Sequence, residues 1–281
     1  MSKPRRELLA HRSNVYSQNG EDGVLAEIFR RLGREPQWVV EFGAWDGRHM
    51  SNSWRLLEAG ANGVLIEADP VKYEELVSNV AGLDGDVTPL NAFVTPGPDS
   101  NLAELLGSTS IPKDFDLLSL DTDGPDVPIW QALAGFEPKV VCVETNGIVP
   151  PEELISVDGS SLVGACRVGT EKGYRLVCHT GNGIFVREDL VDQLGLAADE
   201  IDNPELLFDP YFRPKSIRRA AWLLADRDGR WRLRGDLRAS RKLLADDGLK
   251  GLQYILYHHV YTTLVPESIR QRVTARRSRQ G

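Results

Sequence analysis

Two glutamates that end short apolar runs are the residues whose types and spacing best suit nucleotide chemistry. Glu41 is followed by a Gly-x-x-x-Gly turn at Gly43 and Gly47, and Glu67 ends a second apolar run. A glycine turn after a first strand, with an acid closing a second strand about 20 residues later, is typical of nucleotide sites in open α/β sheets. The glycines let the backbone approach a ligand, and Glu67 can accept hydrogen bonds from ribose hydroxyls.

A second group of acidic and amide side chains follows two later apolar runs. Asp121 and Asp123 come after the fourth run, and Glu144 and Asn146 come at the end of the fifth. Because the carboxyl ends of parallel strands meet at one edge of a sheet, we expect these side chains to lie close together. Oxygen ligands of this kind suit Mg²⁺, Mn²⁺ or Ca²⁺.

The hydrophobic pattern predicts the elements that position these residues. Strands and helices alternate five times and are followed by a closing hairpin, which predicts a doubly wound α/β sheet. The predicted strands are 37–43, 62–67, 87–94, 114–121, 139–144, 174–178 and 183–186, and the predicted helices are 24–32, 52–60, 70–81, 101–106 and 160–172, with one more that ends at Gly135.

Composition and charge exclude several classes of protein. The chain has 281 residues and a formal net charge of −8. Its apolar runs fall short of the roughly 20 residues that span a membrane, and its start lacks the apolar core of a signal peptide. Cys142, Cys166 and Cys178 do not have metal-ligand spacing. We therefore expect a cytoplasmic protein without membrane contact.

The chain is predicted to have three regions. Residues 1–15 are expected to form a loose arm, residues 16–195 the sheet domain, and residues 196–281 a mainly helical appendage. Residues 211–281 contain 17 Lys and Arg but only 6 Asp and Glu. The basic appendage could recognise an anionic substrate or surface, or it could pack as a substrate lid or as a homodimer contact.

Four segments of the sequence resemble a known family. They are YSQNGEDG at 16–23, VEFGAWDG at 40–47, LSLDTDGPD at 118–126 and GYRL at 173–176. Together they resemble the FkbM-related members of the class I S-adenosylmethionine-dependent methyltransferases, over about residues 16–190. The resemblance implies seven strands in the order 3-2-1-4-5-7-6, with the last strand antiparallel. It also implies methyl transfer from S-adenosylmethionine to a small polar acceptor, such as a sugar or a natural-product-like metabolite, most simply at oxygen.

The resemblance further implies roles for individual residues. Glu41 is expected to reach the methionine amino group, Glu67 the ribose, and Asn91 the adenine amine. Gln18 or Glu21 is expected to line the pocket from above, although this polar stretch could instead cap the helix that follows it. The residues expected to bind the cofactor are Gln18, Glu21, Glu41, Gly43, Ala44, Asp46, Glu67, Asn91 and Asp121.

A divalent metal is one of two interpretations of the acidic strand ends. Asp121, Glu144 and Asn146 resemble the ligand set of catechol-type O-methyltransferases, in which Mg²⁺ or Mn²⁺ activates the acceptor hydroxyl. The match is partial, because Glu144 replaces the usual Asp and Gly124 lies where those enzymes have Lys. In the other interpretation no metal binds, Asp121 orients the cofactor or the substrate, and Asp123 caps the next helix.

Three residues are candidates for the catalytic groups. His179 follows the sixth predicted strand and could act as the base near neutral pH. Asp123 is the rival base, and Asp121 is the third catalytic candidate. A histidine at this position could equally be a core or loop residue.

Two other functions remain open from the sequence. One is a catalytically silent protein of the same fold that binds a nucleotide or a partner, although clustered carboxylates argue against it. The other is nucleic-acid methylation, prompted by the basic C-terminus. The sequence lacks an Asn/Asp-Pro-Pro-Tyr/Phe motif and its candidate site is acidic, so we do not expect nucleic acid as a partner.

Overall fold

The computed structural model of the chain describes residues 6–98, 101–122, 124–145, 155–156 and 159–208. Within these residues seven strands form one sheet. They are β1 (Trp38–Phe42), β2 (Asn62–Glu67), β3 (Val87–Asn91), β4 (Leu117–Leu120), β5 (Val140–Glu144), β6 (Tyr174–His179) and β7 (Asn182–Arg187).

The strand order confirms the predicted sheet topology. It is β3-β2-β1-β4-β5-β7-β6, with the first five strands parallel to one another. β7 is antiparallel to both β5 and β6. Residues 209–281, which make up most of the helical appendage that we expect at the C-terminus, lie outside the described residues.

The helices connect the strands as the hydrophobic pattern predicts. Short 3-10 turns at Leu8–His11, Asp192–Leu194 and Ala198–Glu200 complete the described elements. The helices are α1 (Glu21–Arg31), α2 (Trp54–Glu58), α3 (Pro70–Val80), α4 (Leu102–Gly107), α5 (Asp126–Ala132), α6 (Leu162–Glu171), α7 (Glu188–Val191) and α8 (Pro204–Leu207).

The central strands are buried on both faces, as their unbroken apolar sequences predict. β4 is buried along its whole length, and Val140 to Val143 of β5 are buried as well. β3 is only half-buried and lies at the sheet edge. The edge position explains why β3 tolerates Pro89, whose missing N–H would break a central ladder.

Both ends of the described chain pack onto the sheet domain more closely than the sequence indicates. Leu8 is 2% exposed and belongs to the main core, which differs from the loose arm expected at residues 1–15. Asp202 exchanges two hydrogen bonds with Leu176 of β6, at 2.8 and 2.9 Å. The segment 196–208 therefore continues the sheet domain beyond the boundary expected at residue 195. Among the described helices, none is long and apolar enough to cross a membrane.

Candidate functional site

The turn after β1 is held between its two neighbouring strands. Gly43 has φ +78°, and a Cβ atom at this position would lie 2.0 Å from the carbonyl oxygen of Asp121. Only glycine therefore fits where the turn meets the end of β4. The N–H groups of Gly43 and Ala44 both donate to the carbonyl of Ile66 at 3.1 Å, which fixes the turn against β2.

Glu67 ends β2 beside this turn. One carboxylate oxygen accepts the N–H of Trp45 at 2.7 Å, and the other accepts the N–H of Asp69 at 2.8 Å. An ionised carboxylate offers about four acceptor positions, so each oxygen can accept a further donor. The Asn91 amide donates to the carbonyl oxygens of Glu67 and Ala68, which joins the ends of β3 and β2.

Glu41 lies beneath the turn and is 3% exposed. Its carboxylate accepts hydrogen bonds from the Ser51 hydroxyl at 2.5 Å, the Ser53 hydroxyl at 2.7 Å and the Asn52 N–H at 2.7 Å. Burial raises the pKa of Glu41, and these hydrogen bonds oppose the rise. Asn52 also donates to the Ser119 hydroxyl of β4 at 3.1 Å.

The described contacts of Glu41 thus organise the segment 51–53, which sequence reasoning missed. The Ser-Asn-Ser composition of this segment was the available signal, because it places three donors within reach of one buried acid. Asp46 also forms hydrogen bonds within the loop between β1 and α2. Its carboxylate accepts the N–H groups of Arg48 and His49, and its carbonyl accepts the Asn79 amide.

The polar stretch before α1 is joined to the first turn of that helix by hydrogen bonds. The Asp22 carboxylate accepts the backbone N–H groups of Val15, Tyr16 and Ser17, each at 2.8 Å, and the Ser17 hydroxyl accepts the N–H of Asp22. Gln18 in the same stretch is half-buried. The N-cap residue of α1 is Gly20, which makes no side-chain capping bond, so only the bond from the Asp22 N–H to Ser17 corresponds to the capping that the sequence left open.

Glu21 is fully buried at the start of α1. Its carboxylate accepts the Asn19 N–H at 2.7 Å, the Thr180 hydroxyl at 2.7 Å and the Asn182 amide at 3.4 Å. Burial raises the pKa of Glu21, and the Thr180 hydroxyl bond partly offsets the rise. The structure therefore brings Glu21 to the turn between β6 and β7.

Asp121 and Glu144 come at the ends of neighbouring strands. Leu120 of β4 pairs with Val143 of β5, and Asp121 and Glu144 are the next residues along each chain segment. Asp123 and Asn146, the other two residues predicted here, lie outside the described residues. Within the described part of the chain, no group of three His, Cys, Asp or Glu side chains is placed to hold a metal ion.

Asp126 supports the loop that carries Asp121. It is 2% exposed, and its carboxylate accepts the Thr122 hydroxyl at 2.8 Å and the N–H of Gly124 at 3.3 Å. Burial raises its pKa against the effect of these bonds. Sequence reasoning noted Asp126 within a motif but did not identify this supporting role.

His179 ends β6 and is fully buried. Its Nε2 lies 2.9 Å from the Thr145 hydroxyl, which donates its own proton to the carbonyl of Gly181. The Thr145 hydroxyl therefore joins the imidazole to the backbone of the turn between β6 and β7. The Phe208 ring stacks on the imidazole at a centroid distance of 5.1 Å.

The predicted residues thus fall into two groups at the carboxyl edge of the sheet. Around β1 to β4, contacts join Gly43 to Asp121 and Asn91 to Glu67. Around β6 and β7, Glu21 contacts the turn that follows His179. The contacts of Thr145 and Phe208 with His179 were not predicted, because local sequence does not show which distant residues pack against a histidine.

Comparison with known proteins adds remote structural similarity. No family model matches the chain, and no curated protein does. A TehB-like SAM-dependent methyltransferase from Corynebacterium glutamicum is 13% identical, with 65% of this chain and 93% of that chain covered and a TM-score of 0.37. For a putative O-methyltransferase from Klebsiella pneumoniae, the identity is 20%, the coverages are 65% and 86%, and the TM-score is 0.39.

The O-methyltransferase TomG from Streptomyces achromogenes, solved in complex with SAM, gives a similar result. The two chains are 18% identical, the match covers 58% of this chain and 78% of the TomG chain, and the TM-score is 0.38. Similarity at this level carries no argument about function. The fold is established by the strand order of the chain itself.

Proposed function

We propose that this protein is an S-adenosylmethionine-dependent methyltransferase, related to the FkbM group, that acts at oxygen on a small polar acceptor. The observation that carries the proposal is the position of Glu67. Its buried carboxylate ends β2, next to the Gly43 turn, at the edge where open α/β sheets bind their ligands.

The residues at this edge fit the nucleoside part of the cofactor. Two of the acceptor positions of Glu67 are occupied by the N–H groups of Trp45 and Asp69, and the remaining ones suit two ribose hydroxyls. The absence of a side chain at Gly43 keeps the backbone close to the ligand position. Bound here, S-adenosylmethionine would supply an electrophilic methyl group on its sulfonium.

The residues of the chain contribute alignment, exclusion of water and removal of the acceptor proton. Asp121 is our first candidate to orient the acceptor hydroxyl and to accept its proton, because it directly follows β4 and its backbone carbonyl lies against Gly43. The loop that carries it is held by Asp126. Asp123 and His179 are the alternative bases.

His179 has the more restricted geometry of these alternatives. Its Nε2 lies 2.9 Å from the Thr145 hydroxyl and is occupied by that contact. The ring is also fully buried beneath Phe208. A base at this position would need substrate or water to reach an imidazole that is fully buried.

The described residues do not by themselves fit a divalent metal. They supply two of the three predicted ligands, Asp121 and Glu144, and no third acid or imidazole completes the group among them. A divalent ion held by these two carboxylates would need water or substrate for the rest of its six or more oxygen ligands. We therefore assign no step of the reaction to a metal.

Binding of S-adenosylhomocysteine, measured by isothermal titration calorimetry, tests the proposal. We expect wild type to bind one molecule per chain. Glu67→Ala should abolish binding, and Glu67→Gln should weaken it about tenfold or more, because charge-assisted bonds are lost. Glu74→Gln, an exposed site on α3, is the matched control and should bind as wild type. A folded wild-type protein that does not bind the ligand would refute the proposal.

A further inference from the structure

Trp45 adopts a backbone conformation that is unusual for its side chain. Its φ is +52°, and Met50 in the same loop between β1 and α2 has φ +58°. Among the described residues, Asp202 is the other non-glycine residue with positive φ. For a residue as bulky as Trp, this conformation is a strained outlier.

The indole remains partly exposed in spite of this strain. The Trp45 side chain is 45% exposed, so the ring removes only part of its apolar surface from water. The hydrogen bond to Glu67 uses the backbone N–H, which any residue other than proline could donate. Glycine would adopt the same conformation without a steric cost. The strained backbone therefore holds a partly exposed indole at the surface of this loop, where the backbone contacts alone would allow glycine.

The indole lies at the candidate cofactor site. The Trp45 N–H contacts the Glu67 carboxylate at 2.7 Å, and the Lys72 ammonium lies 4.9 Å from the ring centroid. Lys72 belongs to the first turn of α3, which follows Glu67 by three residues. Trp45 is thus placed between the β1 turn and the start of α3, beside Glu67, the residue that we propose binds the ribose.

We infer that the Trp45 indole is a binding surface for the nucleoside half of the cofactor whose ribose Glu67 holds. A purine ring presents a flat π face, and aromatic side chains stack on such faces without requiring specific polar groups. The neighbouring carboxylate supplies the directional hydrogen bonds that a stacking surface lacks. This inference rests on the proposed function and adds a residue to it.

The test compares glycine substitutions at the two strained positions. Trp45→Gly and Met50→Gly both relieve a positive φ and both make the same loop more flexible, but only the first removes the indole. We expect Trp45→Gly to raise the Kd for S-adenosylhomocysteine at least about fivefold, the lower range for loss of one base–aromatic stack. Met50→Gly should bind as wild type.

A second variant and a second measurement guard against a folding defect. Trp45→Asn also removes the ring, and asparagine tolerates positive φ better than most residues. Circular dichroism establishes that each variant is folded. In wild type, S-adenosylhomocysteine should change the tryptophan fluorescence, and this change should be smaller in Trp45→Asn, because Trp45 is the most exposed of the described tryptophans.

The outcomes separate this inference from the proposed function. A wild-type protein that does not bind S-adenosylhomocysteine overturns both. Wild-type binding with unchanged affinity in folded Trp45→Gly or Trp45→Asn overturns only the role of Trp45. Equal weakening by Trp45→Gly and Met50→Gly also overturns it, because the loss would then come from loop flexibility.

Discussion

The buried carboxylate of Glu21 accepts a hydrogen bond of 2.7 Å from the hydroxyl of Thr180, which lies 159 residues further along the chain. This contact joins the start of α1 to the turn between β6 and β7. Both side chains are completely buried, so water cannot replace either partner. An acid in this position makes the stability of the hairpin side of the site depend on pH.

We predict that stability falls as Glu21 ionises. Burial raises its pKa in the folded state, so between the ordinary and the raised value the folded protein binds more protons than the unfolded chain. The loss of folding stability caused by ionising Glu21 is absent below its ordinary, unfolded-state pKa and complete above its raised, folded-state pKa. The free energy of unfolding of wild type relative to Glu21→Gln should therefore decrease as the pH rises from acidic to neutral, as measured by urea denaturation.

Thr180→Val provides a sharper form of the same test. The hydroxyl favours the ionised form of Glu21, so its removal should raise the pKa further and increase the loss of stability at neutral pH. A difference between wild type and Glu21→Gln that does not vary with pH would contradict the prediction.

Glu27, on the same helix, should show the opposite pH dependence. Hydrogen bonds from Arg30 and Arg31 lower its pKa to about 2, against the effect of burial. Its contribution to stability is present above the ordinary pKa and is lost as the pH falls toward 2. Glu27→Gln should lower the free energy of unfolding at neutral pH by about 1 kcal/mol, since salt and water screen such pairs.

The difference between Glu27→Gln and wild type should shrink in acid and in high salt. Urea denaturation at several pH values and salt concentrations measures both effects. An equal cost at every pH would show that Glu27 stabilises α1 through packing and not through its charge.

Gly43 and Gly33 form a matched pair for testing the close approach of β1 and β4. Both have positive φ, but a Cβ at Gly43 would lie 2.0 Å from the Asp121 carbonyl, whereas nothing lies within 4 Å of one at Gly33. Gly33→Ala should cost about 1 kcal/mol for the backbone conformation alone. Gly43→Ala should cost at least about 2 kcal/mol more, because the strand ends must separate. Equal costs in urea denaturation would contradict the contact.

Much of the sheet could be predicted because its strands are buried on both faces. The continuous apolar run at 62–67, ended by Glu67, predicts the observed limits of β2. β3 was harder to delimit. Its sequence predicts a strand as far as Val94, but the described strand ends at Asn91, whose amide bonds to the end of β2. An edge strand has only one neighbour to fix its length, so its end depends on such contacts.

The partners of the predicted site residues could not be inferred in the same way. The sequence indicates an acid at the end of β1, but the donors to Glu41 come from a loop whose path depends on packing against β4. Thr180 and Asn182 reach Glu21 only because the β6–β7 hairpin joins the far side of the sheet. Local periodicity identifies strand ends, whereas pairs this far apart in sequence follow from the topology.

Ser51 is predicted to stabilise the loop beneath the candidate site more than Ser53. Both hydroxyls donate to Glu41, but the Ser51 oxygen also accepts the N–H groups of Ser53 and Trp54 at the start of α2. Ser53→Ala should cost about 1–3 kcal/mol, the usual cost of an unsatisfied buried partner. Ser51→Ala should cost about 1 kcal/mol more, because the two N–H groups that donate to its hydroxyl also lose their acceptor. Thermal and urea denaturation of the two variants check the order, and a larger cost for Ser53→Ala would contradict it.

The remaining prediction concerns the divalent metal. Asp121 and Glu144 are the two described members of the predicted ligand set, and among the described residues no third acid or imidazole joins them. Water and substrate would have to supply most of the six ligands of Mg²⁺ or Mn²⁺, which makes for weak binding when no acceptor is present. We therefore expect the protein with bound S-adenosylhomocysteine to bind no Mn²⁺ at micromolar concentration, as measured by electron paramagnetic resonance. Glu144→Gln and the control Glu74→Gln should leave this result unchanged. One Mn²⁺ per chain in wild type that is lost only in Glu144→Gln would instead establish a metal site, with the missing ligands outside the described residues.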